Sequence, residues 1–197
     1  MTVSPRNVSN YKVTNVSDGV KTSWTKVDGA KGYILYAAYC GSDYKKITTL
    51  SADTSTYTIT KLNGKAIDKT KCIRSYVVAY KIENGKKVTY KRSLTTHLPG
   101  KKNATYTGAK SITITSKTTV TLAVGKSSKI KAKTVKIDSS KKLLEAGHAA
   151  VYRYRSTAKY VATVDENGVI TAKGKGICYI YVYAQNGVKA KVKVKVS

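Results

Sequence analysis

The sequence is poor in the residues typical of catalytic and disulfide-rich proteins, and it lacks the long apolar runs of membrane-spanning proteins. Its 197 residues include two histidines, three cysteines and ten acidic residues, and phenylalanine is absent. Three cysteines are too few for a disulfide framework, and their spacing does not match a zinc site. No apolar run approaches the roughly 18 residues of a membrane span, so we expect no membrane insertion. No charged and then apolar leader opens the chain, and we expect any signal peptide and anchor to lie outside this stretch.

The histidines and carboxylates form no recognisable catalytic constellation. His97 falls in a polar stretch and His148 in an irregular segment, and no nucleophile motif lies near either. Both are predicted to be solvated surface residues. Asp165 and Glu166, in "VDENG", are interpreted as part of a hairpin turn, because they lack the spaced carboxylates and distal glutamate of a calcium loop. We therefore expect no catalytic residue, no metal site and no cofactor, and the chain is predicted not to be an enzyme.

Positive charge is what the sequence has in excess. It carries 37 basic residues and a formal charge of +27, but only five of the basic residues are arginines. A field of that sign attracts polyanions. Arginine supplies the planar fork that recognises phosphates and guanines, whereas lysine is a hydrated point charge. This balance favours diffuse attraction, and we expect no specific nucleic-acid recognition.

Alternation of apolar and polar residues with period two recurs along the chain and predicts an all-β protein. The first group of predicted strands is Gly19–Thr25, Tyr33–Cys40, Ser55–Thr60, Lys71–Tyr80 and Lys87–Leu94. The second group is Ser111–Thr115, Thr119–Val124, Ser127–Val135, Val151–Ser156, Val161–Val164, Val169–Ala172, Gly176–Ala184 and Val188–Val196. The stretch "HLPGKKNATYTGAK" between them is predicted to be a linker. Strands this short and this numerous favour two β-sandwiches, and "SSKKLLEAGHA" is predicted to be a loop with at most one helical turn.

The first half resembles a fibronectin type III domain over about residues 6–97. The resemblance rests on "VKTSWT", "VDGAKGYILYAAY", "YKKITTL", "YTITKLNGK" and "YVVAYKIENGKK". It implies that Trp24 fills the centre of a sandwich and that Tyr33, Leu35 and Ala37 point inward. Ile73 stands where that family usually has a corner tyrosine.

The second half resembles the group 2 bacterial immunoglobulin-like domain over about residues 109–197. The longest matching stretch is "YRSTAKYVATVDENGVITAKGKGICYIYVYAQNGVKAKVKVKV", preceded by "ITITSKTTVTLAVGKSSKIKA" with a glycine turn at Gly125. Together the two resemblances imply two tandem immunoglobulin-like β-sandwich domains, residues 1–98 and 109–197, joined by a linker at 99–108. Such modules are typical of large surface or secreted proteins of Gram-positive bacteria.

The register of the last hairpin decides the environment of four lysines in "VKAKVKVKVS". A two-residue turn at Asn186-Gly187 would place Ile180 and Val182 on the same face as these lysines. A three-residue loop instead pairs Ile180 with Val192 and leaves the lysines outside. Burying one unpaired lysine costs several kcal/mol, against about 0.2–1 kcal/mol for a cross-strand pair, so the longer loop is predicted.

In that register one face of the hairpin carries both aromatic rings and cations. Its residues, the candidate ligand-facing surface, are Tyr179, Tyr181, Tyr183, Lys189, Lys191 and Lys193. Rings beside cations can receive a sugar ring or a phosphate polymer. An ordinary solvated strand face has the same pattern, and lysine on exposed strands also prevents edge-to-edge aggregation. Both interpretations remain open from the sequence.

The cysteines support one structural prediction. In the fold implied by the resemblance, Cys40 and Cys72 lie on neighbouring antiparallel strands and point outward. A disulfide between them is then geometrically feasible in an oxidising compartment, and two separate thiols are an equal alternative. Cys178 is predicted to be buried and inert.

These features favour a non-catalytic structural or adhesive module pair, extracellular and either surface-bound or secreted. The alternatives are a polyanion- or glycan-binding module, with teichoic acid, sulfated glycan or nucleic acid as ligand, and the accessory tail of a secreted hydrolase. The expected partners are acidic cell-wall or host glycans or a host surface protein. This stretch is expected to be monomeric.

Overall fold

The computed structural model describes residues 8–197, and those residues form strands, turns and loops without a helix. The predicted all-β fold class is therefore confirmed. Within the described residues no helix is long and apolar enough to cross a membrane. The chain divides into two compact units, the first ending at Thr107 and the second starting at Gly108.

The first unit contains two antiparallel sheets. Its ten strands are β1 (Lys12–Asn15), β2 (Val20–Ser23), β3 (Gly32–Tyr39), β4 (Lys45–Ser51), β5 (Thr56–Ile59), β6 (Lys61–Leu62), β7 (Lys65–Ala66), β8 (Cys72–Glu83), β9 (Lys86–Arg92) and β10 (Thr96–Pro99). One sheet has the order β1-β2-β5, and the other has the order β10-β8-β3-β4 with β9 on the second half of β8. The short hairpin β6-β7 stands beside them.

The core of the first unit lies between these two sheets. Trp24 is 5% exposed and packs against Tyr33, with 5.4 Å between the ring centroids. Tyr33, Leu35 and Ala37 are fully buried, as the alternation of β3 predicts. The inward positions expected for these four residues are confirmed.

Strand β10 corrects the prediction that the stretch from residue 97 onward is a linker. Thr96–Pro99 pairs with the start of β8, so His97 lies within a sheet. The backbone just after β10 is also hydrogen-bonded to the first unit: the Gly100 amide donates to the Lys71 carbonyl at 3.0 Å. A proline at the end of an edge strand leaves most of the ladder intact, which explains why a Pro-Gly pair does not mark the boundary here.

The second unit has nine strands. They are β11 (Ala109–Ile114), β12 (Thr119–Leu122), β13 (Ser127–Lys129), β14 (Ala132–Lys136), β15 (Arg153–Ser156), β16 (Ala162–Val164), β17 (Val169–Ala172), β18 (Gly176–Tyr183) and β19 (Lys189–Val196). The largest sheet has the order β12-β19-β18-β15, with β12 parallel to β19. Strands β13-β17-β16 form a second sheet, and β11-β14 form a two-stranded ladder.

The inward side chains of both sheets form the core of the second unit. Ile170 comes from β17, and Ile180 and Val192 come from β18 and β19; all three are fully buried. The predicted strand Ser127–Val135 is divided in the structure, because β13 pairs with β17 whereas β14 pairs with β11. Ile130, 4% exposed, lies at the point where the chain changes sheets.

Candidate functional site

The hairpin of β18 and β19 has the register predicted for a three-residue loop. Ile180 lies opposite Val192, and Val182 lies opposite Ala190. The Ala184 amide donates to the Val188 carbonyl at 2.8 Å, which closes the loop. Gly187 has φ = 85°, the left-handed conformation that the loop requires. The register prediction is confirmed.

The opposite side of the hairpin carries the predicted tyrosines and lysines, here called the tyrosine–lysine face. Its members are Tyr179, Tyr181, Tyr183, Lys189, Lys191 and Lys193. The three lysines lie directly across the ladder from the three tyrosines. The ammonium groups of Lys189 and Lys191, however, contact the ring of the next tyrosine along the face, not the one directly opposite.

These diagonal contacts hold two cations over two rings. Lys189 Nζ lies 4.2 Å from the centroid of the Tyr181 ring, and Lys191 Nζ lies 4.8 Å from that of Tyr179. Both distances are within the range of cation–π attraction. Partial burial, together with repulsion from Lys191, lowers the pKa of Lys189. The face is therefore a pre-arranged set of closely spaced positive charges.

Tyr183 is a correction to the predicted face. It is 5% exposed, so it cannot present its ring to a ligand. Arg153 lies opposite it on β15 and donates from Nη2 to the Ala184 carbonyl at 3.1 Å. Burial raises the pKa of Tyr183 and lowers the pKa of Arg153 to about 10. The ligand-accessible rings of the face are Tyr179 and Tyr181.

Arg155 is a member of this surface that sequence reasoning did not identify. It lies opposite Tyr181 on β15, so this ring stands between Arg155 and Lys191. The alternation in "VYRYRS" was the available signal, since it places Arg153 and Arg155 on one face. None of the four strands of this sheet carries an acidic residue. An anionic polymer lying on this face would meet no carboxylate from these strands.

The hairpin loop that supports the face is held by side-chain hydrogen bonds. Gln185 Nε2 donates to the carbonyls of Leu144 and Ala149 at 2.9 and 2.8 Å. Asn186 Nδ2 donates to the Ala109 carbonyl at 2.9 Å. The segment "SSKKLLEAGHA" is a loop, as predicted, and its backbone fixes Gln185. His148 is an exposed residue of that loop.

The first unit has a second cationic and aromatic group, here called the tyrosine–arginine cluster. It consists of Tyr36, Tyr44, Tyr76, Arg74 and Arg92. Tyr36 and Tyr76 are cross-strand partners whose rings stack with 5.0 Å between centroids. The guanidinium Cζ of Arg92 lies 3.7 Å from the Tyr76 centroid, and that of Arg74 lies 4.4 Å from the Tyr44 centroid. Each guanidinium covers a ring, so the cluster stabilises the sheet surface through its own contacts.

The cysteines and His97 meet on the same sheet. Cys40 and Cys72 are adjacent across β3 and β8, as predicted, with 2.7 Å between their sulfurs. A disulfide between them stays a prediction. His97, predicted to be a solvated residue, is half-buried and lies with Nδ1 3.7 Å from Cys40 Sγ. Cys178 is 1% exposed and lies in the core of the second unit, so its predicted burial is confirmed.

The "VDENG" segment forms the predicted turn between β16 and β17. Asp165 Oδ1 accepts hydrogen bonds from the amides of Asn167 and Val169 at 3.0 and 2.8 Å. Gly168 has φ = 77°. The carboxylate therefore closes the turn.

The two-sheet sandwiches, with the core between the sheets, define immunoglobulin-like β-sandwich domains. A family model described as the intimin immunoglobulin-like domain matches residues 137–185. That match spans β15 to β18 and thus includes Tyr179, Tyr181 and Arg155. No curated protein matches the chain.

Two solved structures match the chain with low scores. The S-layer protein rSbsC is 16% identical with a TM-score of 0.38; the similarity covers 91% of this chain and 22% of that one. The C-terminal 282-residue fragment of intimin, solved with the intimin-binding domain of its translocated receptor, is 14% identical with a TM-score of 0.31. That similarity covers 94% of this chain and 62% of the intimin fragment. The chain is thus shorter than either protein, and at these scores neither similarity bears on its function.

Proposed function

We propose that the chain is a non-catalytic structural and adhesive segment of an extracellular protein of a Gram-positive bacterium. In this proposal a fibronectin type III domain is followed by a group 2 bacterial immunoglobulin-like domain. The motifs that resemble these families support it, as does the immunoglobulin-like match over residues 137–185. Each unit has its own closed core, which suits a module that spaces or displays other domains.

We further propose that adhesion is to anionic polymers, through the accessible part of the tyrosine–lysine face together with Arg155. One observation supports this most directly: the sheet β12-β19-β18-β15 carries six cationic residues and no acidic one. The cationic residues are Arg153, Arg155, Lys189, Lys191, Lys193 and Lys195. Lysines at every second position of a strand lie about 6.8 Å apart. An extended polyanion lying along β19 would therefore meet a cation at regular intervals.

Teichoic acids and sulfated glycans are the ligand class that this arrangement favours. The rings of Tyr179 and Tyr181 are half-buried and can stack on a sugar, while the flanking cations bind phosphate or sulfate groups. Lysine is flexible and offers a point charge, so we expect selection by charge density and not by a defined sequence of sugars.

The test measures binding of the full chain to poly(glycerol phosphate), to heparin and to neutral dextran at increasing salt. We expect binding to both polyanions and not to dextran. If about three cations contact the polymer, the logarithm of the affinity should fall against the logarithm of salt with a slope of about −2 to −3. The double variant Lys189→Glu/Lys191→Glu should weaken binding by at least about tenfold and lower the slope.

The matched control is Lys129→Glu/Lys133→Glu, which makes the same change in net charge. Both control residues are exposed strand lysines of the second unit outside the tyrosine–lysine face. We expect this control to weaken binding by less than about threefold, because it changes only the long-range field. Equal losses in the two variants would show that net charge alone governs binding. No binding at low salt would reject adhesion to polyanions.

A further inference from the structure

Three chemically reactive side chains converge in the first unit, in or directly after three adjacent strands. Cys40 follows the end of β3, Cys72 begins β8, and His97 lies in the middle of β10. Since the sheet order is β10-β8-β3, the central residue of the three is Cys72. Their ligand atoms, two Sγ and one imidazole nitrogen, lie within 4.8 Å of one another. All three side chains are half-buried.

The backbones of all three residues are fixed by the sheet ladder. The Cys40 amide donates to the Cys72 carbonyl at 2.8 Å. His97 is the register partner of Arg74, two residues along β8 from Cys72. Residues two apart on a strand share a face, so His97 lies beside the face that carries Cys72. Donor atoms held on rigid strands are pre-organised, whereas donors on loops must be ordered by the ligand.

We propose that Cys40, Cys72 and His97 bind a thiophilic metal ion, Zn²⁺ or Cu⁺, through two thiolates and the imidazole Nδ1. Sulfur and imidazole are the donors that these ions prefer, and hard ions such as Mg²⁺ and Ca²⁺ do not select them. Binding releases the two thiol protons to solvent and involves no change of oxidation state. Three ligands complete a trigonal Cu⁺ site or leave one position of a tetrahedral Zn²⁺ site to water. The site is separate from the tyrosine–lysine face and does not depend on the proposed adhesion.

The separations between the donor atoms fit this chemistry with a small adjustment. Zinc bonds of about 2.3 Å to sulfur and about 2.0–2.1 Å to nitrogen place a sulfur and a nitrogen ligand about 3.6 Å apart in a tetrahedron. The distance from Cys40 Sγ to His97 Nδ1 is 3.7 Å. The two sulfurs are 2.7 Å apart and would have to separate by about 1 Å. A rotation of about 15–20° about χ1 of each cysteine achieves this and stays within one rotamer well.

Metal binding and the predicted disulfide are mutually exclusive states of the same two sulfurs. Disulfide formation removes two electrons and two protons from the thiols and needs an oxidant such as molecular oxygen or a small-molecule disulfide. The disulfide has no thiolate to offer a metal. The proposal therefore applies to the dithiol form of the full chain.

The test adds Co²⁺, Zn²⁺ or Cu⁺ to the reduced full chain without oxygen. We expect one ion per chain and, with Co²⁺, a thiolate-to-cobalt charge-transfer absorption together with the visible bands of a tetrahedral site. The variants Cys40→Ser, Cys72→Ser and His97→Ala should each lower the affinity at least tenfold. Cys178→Ala removes the third thiol, which is buried in the second unit, and should leave binding unchanged. Competition between Zn²⁺ and Cu⁺ then shows which ion the site prefers.

A second measurement keeps the test decisive if a variant does not fold. Alkylation of the native wild-type chain should block Cys40 and Cys72, spare buried Cys178, and abolish the cobalt absorption. Failure of the reduced chain to bind one ion at micromolar concentration would overturn the proposal. So would undiminished binding after Cys40 and Cys72 are blocked, or a native disulfide that mild thiol reductants do not open.

Discussion

The ammonium group of Lys189 lies 4.2 Å from the centre of the Tyr181 ring, although the residue directly across the ladder from Lys189 is Tyr183. The lysine stem thus leans along the strand and covers the more accessible ring. This diagonal contact keeps the cation on the surface, beside Lys191. The same strand directs Val192 and Val194 into the core. Each side of the hairpin can therefore be tested separately.

The two sides should differ sharply in their contribution to stability. Ile180 is fully buried between the sheets, so Ile180→Ala should lower the free energy of unfolding by about 2–4 kcal/mol. Lys191→Ala removes a surface contact with Tyr179 and should cost less than about 1 kcal/mol. Urea unfolding followed by far-ultraviolet circular dichroism measures both. Comparable losses would contradict the register of β18 and β19.

Tyr11 should make the first unit sensitive to alkaline pH. It is 3% exposed, and its hydroxyl donates to Ser75 Oγ at 2.8 Å. Burial raises the pKa of Tyr11 well above that of a free phenol. The folded state therefore favours the protonated phenol. That stabilisation is complete below the unfolded pKa of about 10 and is lost as pH rises toward the folded value.

The variant Tyr11→Phe tests this dependence. It should cost about 1 kcal/mol at neutral pH, because the hydrogen bond to Ser75 is lost. It should also make the stability of the first unit fall less steeply above pH of about 10. Fluorescence of Trp24, the single tryptophan, follows the unfolding of this unit. Tyr57→Phe, at a half-buried tyrosine of the same unit, serves as the control. If the stability of Tyr11→Phe and that of the wild type fall equally steeply with pH in the alkaline range, Tyr11 is not the cause of the alkaline sensitivity.

Asp68 and Asp138 lie in two turns with the same hydrogen bonds, and these turns should lower the pKa of both carboxyl groups. Asp68 Oδ1 accepts hydrogen bonds from the hydroxyl and the amide of Thr70, and Asp138 Oδ1 accepts the same pair from Ser140. These bonds, led by the hydroxyl, lower the pKa of each aspartate. A depressed pKa stabilises the fold above the unfolded value of about 3.9, and the effect is lost as pH falls through the folded pKa.

Thr70→Ala should raise the pKa of Asp68 and leave that of Asp138 unchanged. The substitution removes the hydroxyl donor to Asp68 but does not touch the second turn. Nuclear magnetic resonance titration of the side-chain carboxyl carbons reports both groups in one sample. Asp138 is thus an internal control. An unchanged Asp68 pKa would show that the Thr70 amide, or Lys71 at 3.7 Å, controls the shift and that the hydroxyl does not.

The sequence predicts the strands that have one apolar and one polar face. It does not predict the strands whose two faces are similar in polarity. The alternation in "GICYIYVY" fixes the inward positions of Cys178, Ile180 and Val182, all of which are buried as predicted. Lys45–Ser51 was not predicted as a strand, because its residues are half-buried or exposed with no clear alternation. Thr96–Pro99 was missed since its polar residues and proline are also typical of linkers.

Only those contacts of the candidate site that lie within one hairpin could be predicted from the sequence. The tyrosines and lysines of one hairpin are neighbours through a single turn, so their pairing follows from the loop length. The burial of Tyr183 depends on Arg153, which lies 30 residues earlier on β15. The approach of His97 to Cys40 depends on β10 pairing with β8. To predict contacts between strands so far apart in sequence, one must know which strands are neighbours in the sheet, and the alternation of apolar and polar residues does not give that order.

The position of β19 has a consequence for the order in which the protein matures. Residues 189–196 lie in the interior of their sheet, hydrogen-bonded to β18 on one side and β12 on the other. The second sandwich cannot close before this segment has left the ribosome. The first unit closes with β10, about 100 residues earlier in synthesis, so it should already be folded while the second is still an open chain.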